Sequence, residues 1–556
     1  MLLYIITMEQ LLSMYLEDGT QNNKEFEVRF GTKDKSITKI NYDGVIKKLL
    51  SLGFKFQSQN PEIRLRISLD KQSIRCDIEG IEAISTYCKT NMLGKLNPKS
   101  FKFVDKRKIK DSAGNIIEPV DNDDFSFRTS LQEENEVDSL EIQERLFAEW
   151  KNTKKMFRYI SRLSLVHEAF PYIRIDVTIV KNSHMMSGKY IAEYTIENAD
   201  VFAQPEKHEI EIEVTQTNEA LKTVLGNLKK TIKHVLSGIQ ESNYPIGIKE
   251  QNIALLNYMN LIQGKKPLVR KEIKEDTMQI ARKLKNDRSY SKNFIGPSQV
   301  TLQLHNITTG PNKGEININS NYTVTEKADG IRKLLYIDDT GKIYLINSNM
   351  KFQYSGMKTD DIECFDTLID GEHILYNKNK KFINLFKAFD IYFIKSVDHR
   401  SLPLFTREAG KKCRYLELID FIKRLKIRVK NETASLINVL RIEYKQFYLV
   451  DESSPSIFKH CNKILSDVEQ GLYEYETDGL IFTPSLLPVG ENTKGDKIEN
   501  KKKTWIHCMK WKPPKFNTND FLVTTIRMNN DMIKLVILLK PDKMFLLKNR
   551  VLNIKL

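Results

Sequence analysis

Between Thr325 and Arg332 the sequence reads TEKADGIR, with a lysine two residues ahead of an aspartate and three ahead of a glycine. A lysine amine attacks phosphorus only once it has lost its proton, which nearby cations and desolvation favour. Arg332 is a cation close enough in sequence to serve, and to bind phosphate. Further along come DGE at Asp370 to Glu372, FD at Phe389 and Asp390, TDGLIF from Thr477 to Phe482, and MKWK from Met509 to Lys512. Each follows or forms an apolar strand, a rigid base from which charged side chains can be aimed into one cleft. Taken singly, a DG pair also reads as an ordinary turn and a lysine as a solvated charge.

The front of the chain carries a second pattern. Glu25 and Glu27 alternate in KEFEVRF, and Glu209, Glu211 and Glu213 alternate in HEIEIEV. A period of two puts each set on one face of its strand. Exposed strands with solvated carboxylates explain either one alone. If the two strands are neighbours, their like charges need a counter-ion, and a hard divalent cation suits oxygen ligands. Basic residues alternate in the same way, with Arg64 and Arg66 in EIRLRIS, Arg128 in FSFRTS, Arg158 and Arg162 in FRYISRL, and Arg174, Asp176 and Lys181 in YIRIDVTIVK. Strands like these, closed into a barrel, would enclose a wet, charged tunnel, because burying so many ions dry is too costly. Acidic faces for metal and basic faces for phosphate are what triphosphate hydrolysis requires.

The front half, over about residues 25 to 215, resembles the triphosphate tunnel metalloenzymes, in particular RNA triphosphatase domains of viral and fungal capping enzymes. The resemblance assigns Glu25, Glu27, Glu209, Glu211 and Glu213 to the metal, taken as Mg2+ or Mn2+. It assigns Arg158, Arg174 and Lys181 to phosphate, with Arg64, Arg66 and Arg128 as further basic residues of the tunnel. The later motifs, in their order, resemble the covalent nucleotidyltransferases, which comprise mRNA guanylyltransferases and nucleic acid ligases. The resemblance implies that Lys327 is the nucleophile and that Glu326, Asp329, Gly330, Glu372 and Phe389 hold the nucleotide, Phe389 by stacking on its base. It also implies that Asp478 binds metal and that Arg332, Lys510 and Lys512 handle phosphate.

Together these features imply an mRNA capping enzyme of the large DNA virus kind. It would remove the γ-phosphate from 5′-triphosphate RNA and transfer GMP from GTP through a lysyl intermediate. An ATP-dependent polynucleotide ligase and a non-catalytic RNA-end-binding or scaffold subunit are the alternatives. The expected fold is α+β and multidomain, with an antiparallel β tunnel barrel over 1–235. A helical linker and an α+β nucleotidyltransferase domain (ATP-grasp-like, ligase-type) follow over 236–515, and a partial OB-like segment over 516–556. About forty residues are too few for the five strands of a complete OB barrel. Either the OB domain is truncated or another polypeptide completes the reaction, an OB-domain-supplying subunit or a methyltransferase being the candidate partners.

Composition agrees without choosing among these readings. The 556 residues exceed what one core supports, and 87 Lys+Arg against 72 Asp+Glu give +15 at pH 7, which favours an anionic partner. Six scattered cysteines with no CxxC pair argue against a zinc site or a disulfide framework and fit a reducing compartment. With no long apolar run and no basic leader, neither a membrane span nor a secretion signal is expected. The resemblance places the protein in the cytoplasm, at a viral factory, or in the virion.

Overall fold

The computed structural model describes residues 7–516 apart from 18–20, 32–35, 71, 72, 111–113, 271, 272, 274, 309–315, 409, 430–438, 450–455 and 494, together with the strands 522–527 and 533–538. The first domain is built on β1 (Lys24–Phe30), β2 (Glu62–Leu69), β3 (Ile74–Glu79), β4 (Phe101–Lys108), β5 (Phe127–Glu136), β6 (Lys155–Val166), β7 (Ile173–Asn182) and β8 (Lys207–Val214). Around the ring the order is β1-β8-β7-β6-β2-β3-β4-β5, and β5 pairs again with β1, so these eight antiparallel strands close a barrel. Closure leaves the ring without a free edge.

The barrel's apolar side faces outward. Phe26, Val28 and Phe30 of β1 and Ile210, Ile212 and Val214 of β8 are buried against the helices α1 (Met8–Leu16), α2 (Lys39–Ser51) and α5 (Leu221–Gln240). On another flank, α3 (Ile81–Thr90) and α4 (Leu140–Glu149) cover Leu65, Ile67, Cys76, Ile78 and Phe103 with Ile84, Tyr87, Leu146 and Trp150. The intervening residues of each strand turn into the lumen, and these are the charged ones.

The lysine-rich helical stretch read from 216 to 285 is three helices. α5 stays on the barrel and runs to Gln240, five residues past the expected boundary. After the Pro-Ile-Gly break, α6 (Ile248–Ile262) and α7 (Glu275–Asn286) belong to the second domain's core. The two domains touch at Asp124, whose carbonyl accepts from Ile248 N at 2.6 Å and whose Oδ1 accepts from Lys249 N at 2.8 Å. These are amides at the start of α6 that have no partner within the helix.

The second domain contains β9 (Ser298–Thr301), β10 (Tyr322–Ala328), β11 (Ile331–Ile337), β12 (Lys342–Asn347), β13 (Phe352–Lys358), β14 (Thr367–Tyr376), β15 (Phe382–Ile394), β16 (Arg441–Tyr444), β17 (Thr477–Pro484) and β18 (Thr504–Trp511). One sheet runs β9-β18-β17-β10 and ends on Tyr448–Leu449. The other runs β15-β14-β11-β12-β13, with β16 parallel to β15 and two-residue strands at its ends. Helix α8 (Arg414–Arg424) packs on β15, and α9 (Ile457–Glu469) packs against β10. The domain is therefore α+β, as the sequence suggests. Beyond it, β19 (Leu522–Arg527) and β20 (Ile533–Leu538) form an antiparallel pair. An OB-like barrel is not confirmed by that pair, and the rest of the segment lies outside the described residues. No described helix is long and apolar enough to cross a membrane.

Candidate active sites in the tunnel and the cleft

Strand register fixes the neighbours in the tunnel. β1 lies beside β8 with Glu27 opposite Glu213 and Arg29 opposite Glu211. The two acidic strands expected from sequence are thus adjacent. Arginines interleave with them: Arg29 Nε donates to Glu211 Oε1 at 2.6 Å, and Arg158 and Arg174 pair with Glu209 and Glu213. Arg162 reaches Asp176 at 2.9 Å. On the far wall, fully buried Asp77 gathers Arg64, Arg66 and Arg75 at 3.3, 3.0 and 3.4 Å. Lys106 bridges Glu25 at 2.6 Å and Glu134 at 2.8 Å.

The electrostatics of this lumen are unbalanced in two places. Burial pushes the Glu25 carboxyl up to about 7, with Lys106 opposing and Glu27 and Glu134 adding to the rise. Burial likewise raises Glu213 against the pull of Arg174, and the nearby Asp176 and Glu27 add to it. These are crowded, oxygen-only donors short of positive charge, the chemistry a hard cation satisfies. The opposite lack also appears, since Arg66 and Arg158 stand directly across from each other. Nε of Arg64, Arg158 and Arg162 is buried without a hydrogen-bond partner, so the lumen has donors to spare for an oxyanion.

Among the described residues no three carboxylate, His or Cys side chains already converge as a metal cluster. Glu209, Glu211 and Glu213 each pair with an arginine and Glu25 with Lys106, but Glu25 and Glu213 stay raised despite these partners, and with Glu27 they are the donors that best fit a cation. Lys181 is a correction to the sequence reading. It is an odd number of residues from Arg174, so strand alternation turns it outward, where Nζ donates to the carbonyl of Phe202 at 3.0 Å. Arg128 pairs with Asp121 at 2.7 Å and lies directly opposite Arg29.

In the second domain a cavity of about 330 Å³ opens between the two sheets. Lys327, Gly330, Arg332, Glu372, Phe389 and Lys510 all line it. Lys327 comes from β10 and Lys510 from β18, while Arg332, Glu372 and Phe389 come from β11, β14 and β15. Lys327 Nζ donates to Asp478 Oδ1 at 2.6 Å, and Lys512 Nζ lies 2.6 Å from Asp478 Oδ2. Burial alone would raise Asp478, but the two lysines outweigh it and hold the carboxyl below its ordinary value. With both oxygens engaged, Asp478 is here the lysines' counter-ion.

The glycine of TDGLIF shapes this corner. Gly479 has φ +147°, and a Cβ there would lie 1.9 Å from the Trp511 carbonyl oxygen. Only glycine lets β17 press on β18 so closely that Asp478 meets Lys512. Gly330 is similar: a Cβ would come within 2.8 Å of Glu372 Cγ and 3.0 Å of the His373 carbonyl oxygen.

Arg332 is clamped by Asp370 (Nε to Oδ1, 3.0 Å) and donates to the Pro297 carbonyl at 2.6 Å. Its guanidinium also lies 5.5 Å from the Phe389 ring centre, so it fixes the aromatic wall. Burial raises Glu372, against Lys445, Arg332 and Lys327. Two residues read as nucleotide-binding lie elsewhere. Glu326 alternates away from Lys327 and is buried, accepting from Tyr475 Oη at 2.8 Å and Thr325 Oγ1 at 2.7 Å. Asp329 is exposed in the turn, with its amide bonded to the Glu476 carbonyl at 2.9 Å. The motifs do not reveal Lys445, a buried cavity lysine whose Nζ donates to the Glu326 carbonyl at 3.0 Å. It sits in RIEYKQFYL, where no pattern marks it.

A nucleophile-type lysine facing a cavity between two sheets, with three more lysines and an arginine around it, defines a nucleotidyltransferase-like domain. Residues 262–514 match the family model described as the mRNA capping enzyme, catalytic domain. The chain is 27% identical over 263 residues to an mRNA-capping enzyme of Caenorhabditis elegans, covering 43% of this chain and 35% of that protein. It is 26% identical over 226 residues to mRNA-capping enzyme subunit alpha of Schizosaccharomyces pombe, covering 36% and 48%. The match thus spans less than half the length of either relative. Among solved structures, the RNA triphosphatase domain of a mimivirus capping enzyme aligns with 41% of this chain and 94% of its own, at 19% identity and a TM-score of 0.29. Over residues 262–514 the chain is thus similar to the catalytic domain of mRNA capping enzymes, and it carries a closed eight-stranded barrel in front of that domain.

Proposed function

We propose that this chain carries out two successive steps of RNA 5′ capping, removal of the γ-phosphate from 5′-triphosphate RNA and transfer of GMP to the resulting diphosphate end. The observation that carries the second step is the Lys327–Asp478–Lys512 arrangement beside a cavity that also holds Lys510, Glu372 and Phe389. Nζ of Lys327, freed of its proton and of Asp478, attacks the α-phosphorus of GTP. A P–N bond forms, and the P–O bond to pyrophosphate breaks. A terminal oxygen of the RNA 5′-diphosphate then attacks the same phosphorus and the P–N bond breaks, which returns the lysine. Lys510 and Arg332 face the phosphates and offset charge as it develops, while Phe389 offers its ring to the base.

In the tunnel, Arg158, Arg162, Arg64 and Arg66 hold the triphosphate, the first three through donors that lack protein partners. Glu25, Glu27 and Glu213 are the residues that would hold Mg2+ or Mn2+, which when bound polarises the terminal phosphoryl group. The order of domains supports capping, because the product of the first reaction is the acceptor of the second.

The test incubates the protein with α-labelled GTP or ATP and divalent metal, then looks for label on the denatured chain, with Lys327→Ala as control. Label from GTP alone, absent in the variant, is the expected result. Label from ATP alone would favour a ligase. No label from either, with γ-phosphate still released from triphosphate RNA, would leave the tunnel as the chain's chemistry.

A further inference from the structure

Away from both sites, a second cavity of about 400 Å³ lies where the barrel meets the catalytic domain. Phe125 and Phe127 come from the barrel side, Ile232 and Leu236 from α5, Tyr244 from the connection after it, and Tyr354 from β13. Its size is within the roughly 300–1,000 Å³ of small-ligand sites. Tyr244 and Tyr354 stand edge to face at 6.4 Å, so part of the wall is aromatic.

The rim of this cavity is basic. Lys229 and Lys233 of α5 line it, and both are exposed. From there the charge continues across Lys230 of α5 to Lys48 of α2. Burial, followed by the charge of Lys233, depresses the Lys48 ammonium. Burial and then the charges of Lys230, Lys48 and Lys233 push His234 down to about 4. Beyond burial, both groups therefore feel the positive charge of the neighbouring lysines. Several acids around this rim are engaged elsewhere, Asp121 on Arg128, Asp124 at the start of α6, Glu168 on Lys55 and Glu241 on Lys351, while Glu9 and Asp123 follow the cavity residues Met8 and Asn122 in sequence. The ridge is the lysine-rich helix evident in the sequence, and neither catalytic site uses it.

We infer that this lysine ridge and its aromatic cavity form a binding site for single-stranded RNA, separate from both catalytic centres. Lysines spaced along a helix neutralise successive phosphates, and an apolar cavity with aromatic walls accepts an unstacked base. Charge alone suits any polyanion; the aromatic cavity beside it favours a nucleic acid strand. Phe127, in the cavity wall, adjoins Arg128, which points into the barrel beside Arg29. If the tunnel takes the RNA 5′ end, a strand leaving by that mouth passes over the ridge. That path rests on the proposed triphosphatase reading, whereas the binding site itself does not.

The test therefore uses an RNA with no reactive end. Binding of a 5′-hydroxyl single-stranded RNA, roughly 16 nucleotides long to span such a site, is measured by anisotropy across a salt series on the full chain. The variants are Lys229→Gln with Lys233→Gln, and Tyr244→Leu. The double lysine variant should weaken binding at least tenfold, and the slope of log K against log salt should shrink by about 1.4, as two lost phosphate contacts require. Tyr244→Leu should weaken binding several-fold with the slope unchanged. Release of γ-phosphate from free GTP should be the same in all three proteins, as should the thermal melting of the lysine variant. Unchanged RNA affinity in the lysine variant would overturn the inference. So would an equal loss of affinity for a poly-glutamate peptide, which would make the ridge a docking site for an acidic protein. Loss of γ-phosphate release in the wild type would count against the tunnel reading alone.

Discussion

At the scale of single residues, two carboxylates do opposite things. Asp478 is held ionised by Lys327 and Lys512 and fixes both amines at the edge of the cavity, so Asp478→Asn removes the anchor that positions the nucleophile. Transfer of label to Lys327 should fall by about two orders of magnitude, as misplacing a reacting group can cost; nucleotidylation in a single turnover measures it. Glu25 is raised from 4.5 to about 7, so the folded barrel binds a proton there that the unfolded chain does not. Its stabilising contribution is complete below about 4.5 and is lost as pH rises through about 7. Thermal melting without divalent metal should fall across that window, and Glu25→Gln should flatten the fall. Added Mg2+ should recover melting temperature on the alkaline side if these carboxylates hold a cation. The motif residues around Lys327 were legible because short charged motifs keep their spacing. Glu326 and Asp329 were not, because the side to which a strand residue points depends on where the strand ends and the turn begins.

At the scale of elements, the acidic and basic strands were readable from their period of two alone, and that period shows why Lys181 fails. Adjacency was not readable: nothing in KEFEVRF says that it pairs with HEIEIEV rather than with a nearer strand. The helical region shows a similar limit, since amphipathic spacing located the helices but could not tell which domain each one packs on. One residue joins two elements of the cleft. Gly479→Ala would place a methyl against the Trp511 carbonyl, in a conformation that L residues rarely adopt. It should push β17 from β18, lower the melting temperature and abolish labelling of Lys327. A Gly479→Ala protein with wild-type melting and labelling would show that the strands do not need this approach.

At the scale of the whole molecule, the front domain and the catalytic domain are joined at Asp124, which supplies two bonds to the start of α6, and at the end of α5, where Glu241 accepts from Lys351 and Gln353. Only the side-chain bond is lost in Asp124→Ala, so the expected cost is that of one helix cap, about 0.5–2 kcal/mol. It should appear as an earlier or better separated transition of one domain in calorimetry, with the cleft's nucleotide labelling unchanged below that transition. An unaltered melting profile would mean that the contact carries no stability. The two-domain plan itself was evident in the sequence, from strands in front and ordered motifs behind. The edge expected at 235 falls inside α5, which continues along the barrel to Gln240 after the lysine pattern has faded.

The closure of the barrel also sets an order of events during synthesis. β1 lies between β8 and β5, so the first strand made has one of its two neighbours only when the last strand is complete. Until Val214 has left the ribosome, β1 can pair with β5 but its other edge stays open, and the lumen charges face water through the gap. Such a long separation between partners delays formation of the closed ring. A nascent chain therefore has no tunnel until Val214 has been made, and α5, which begins just after β8, is well placed to pack over the seam as it shuts.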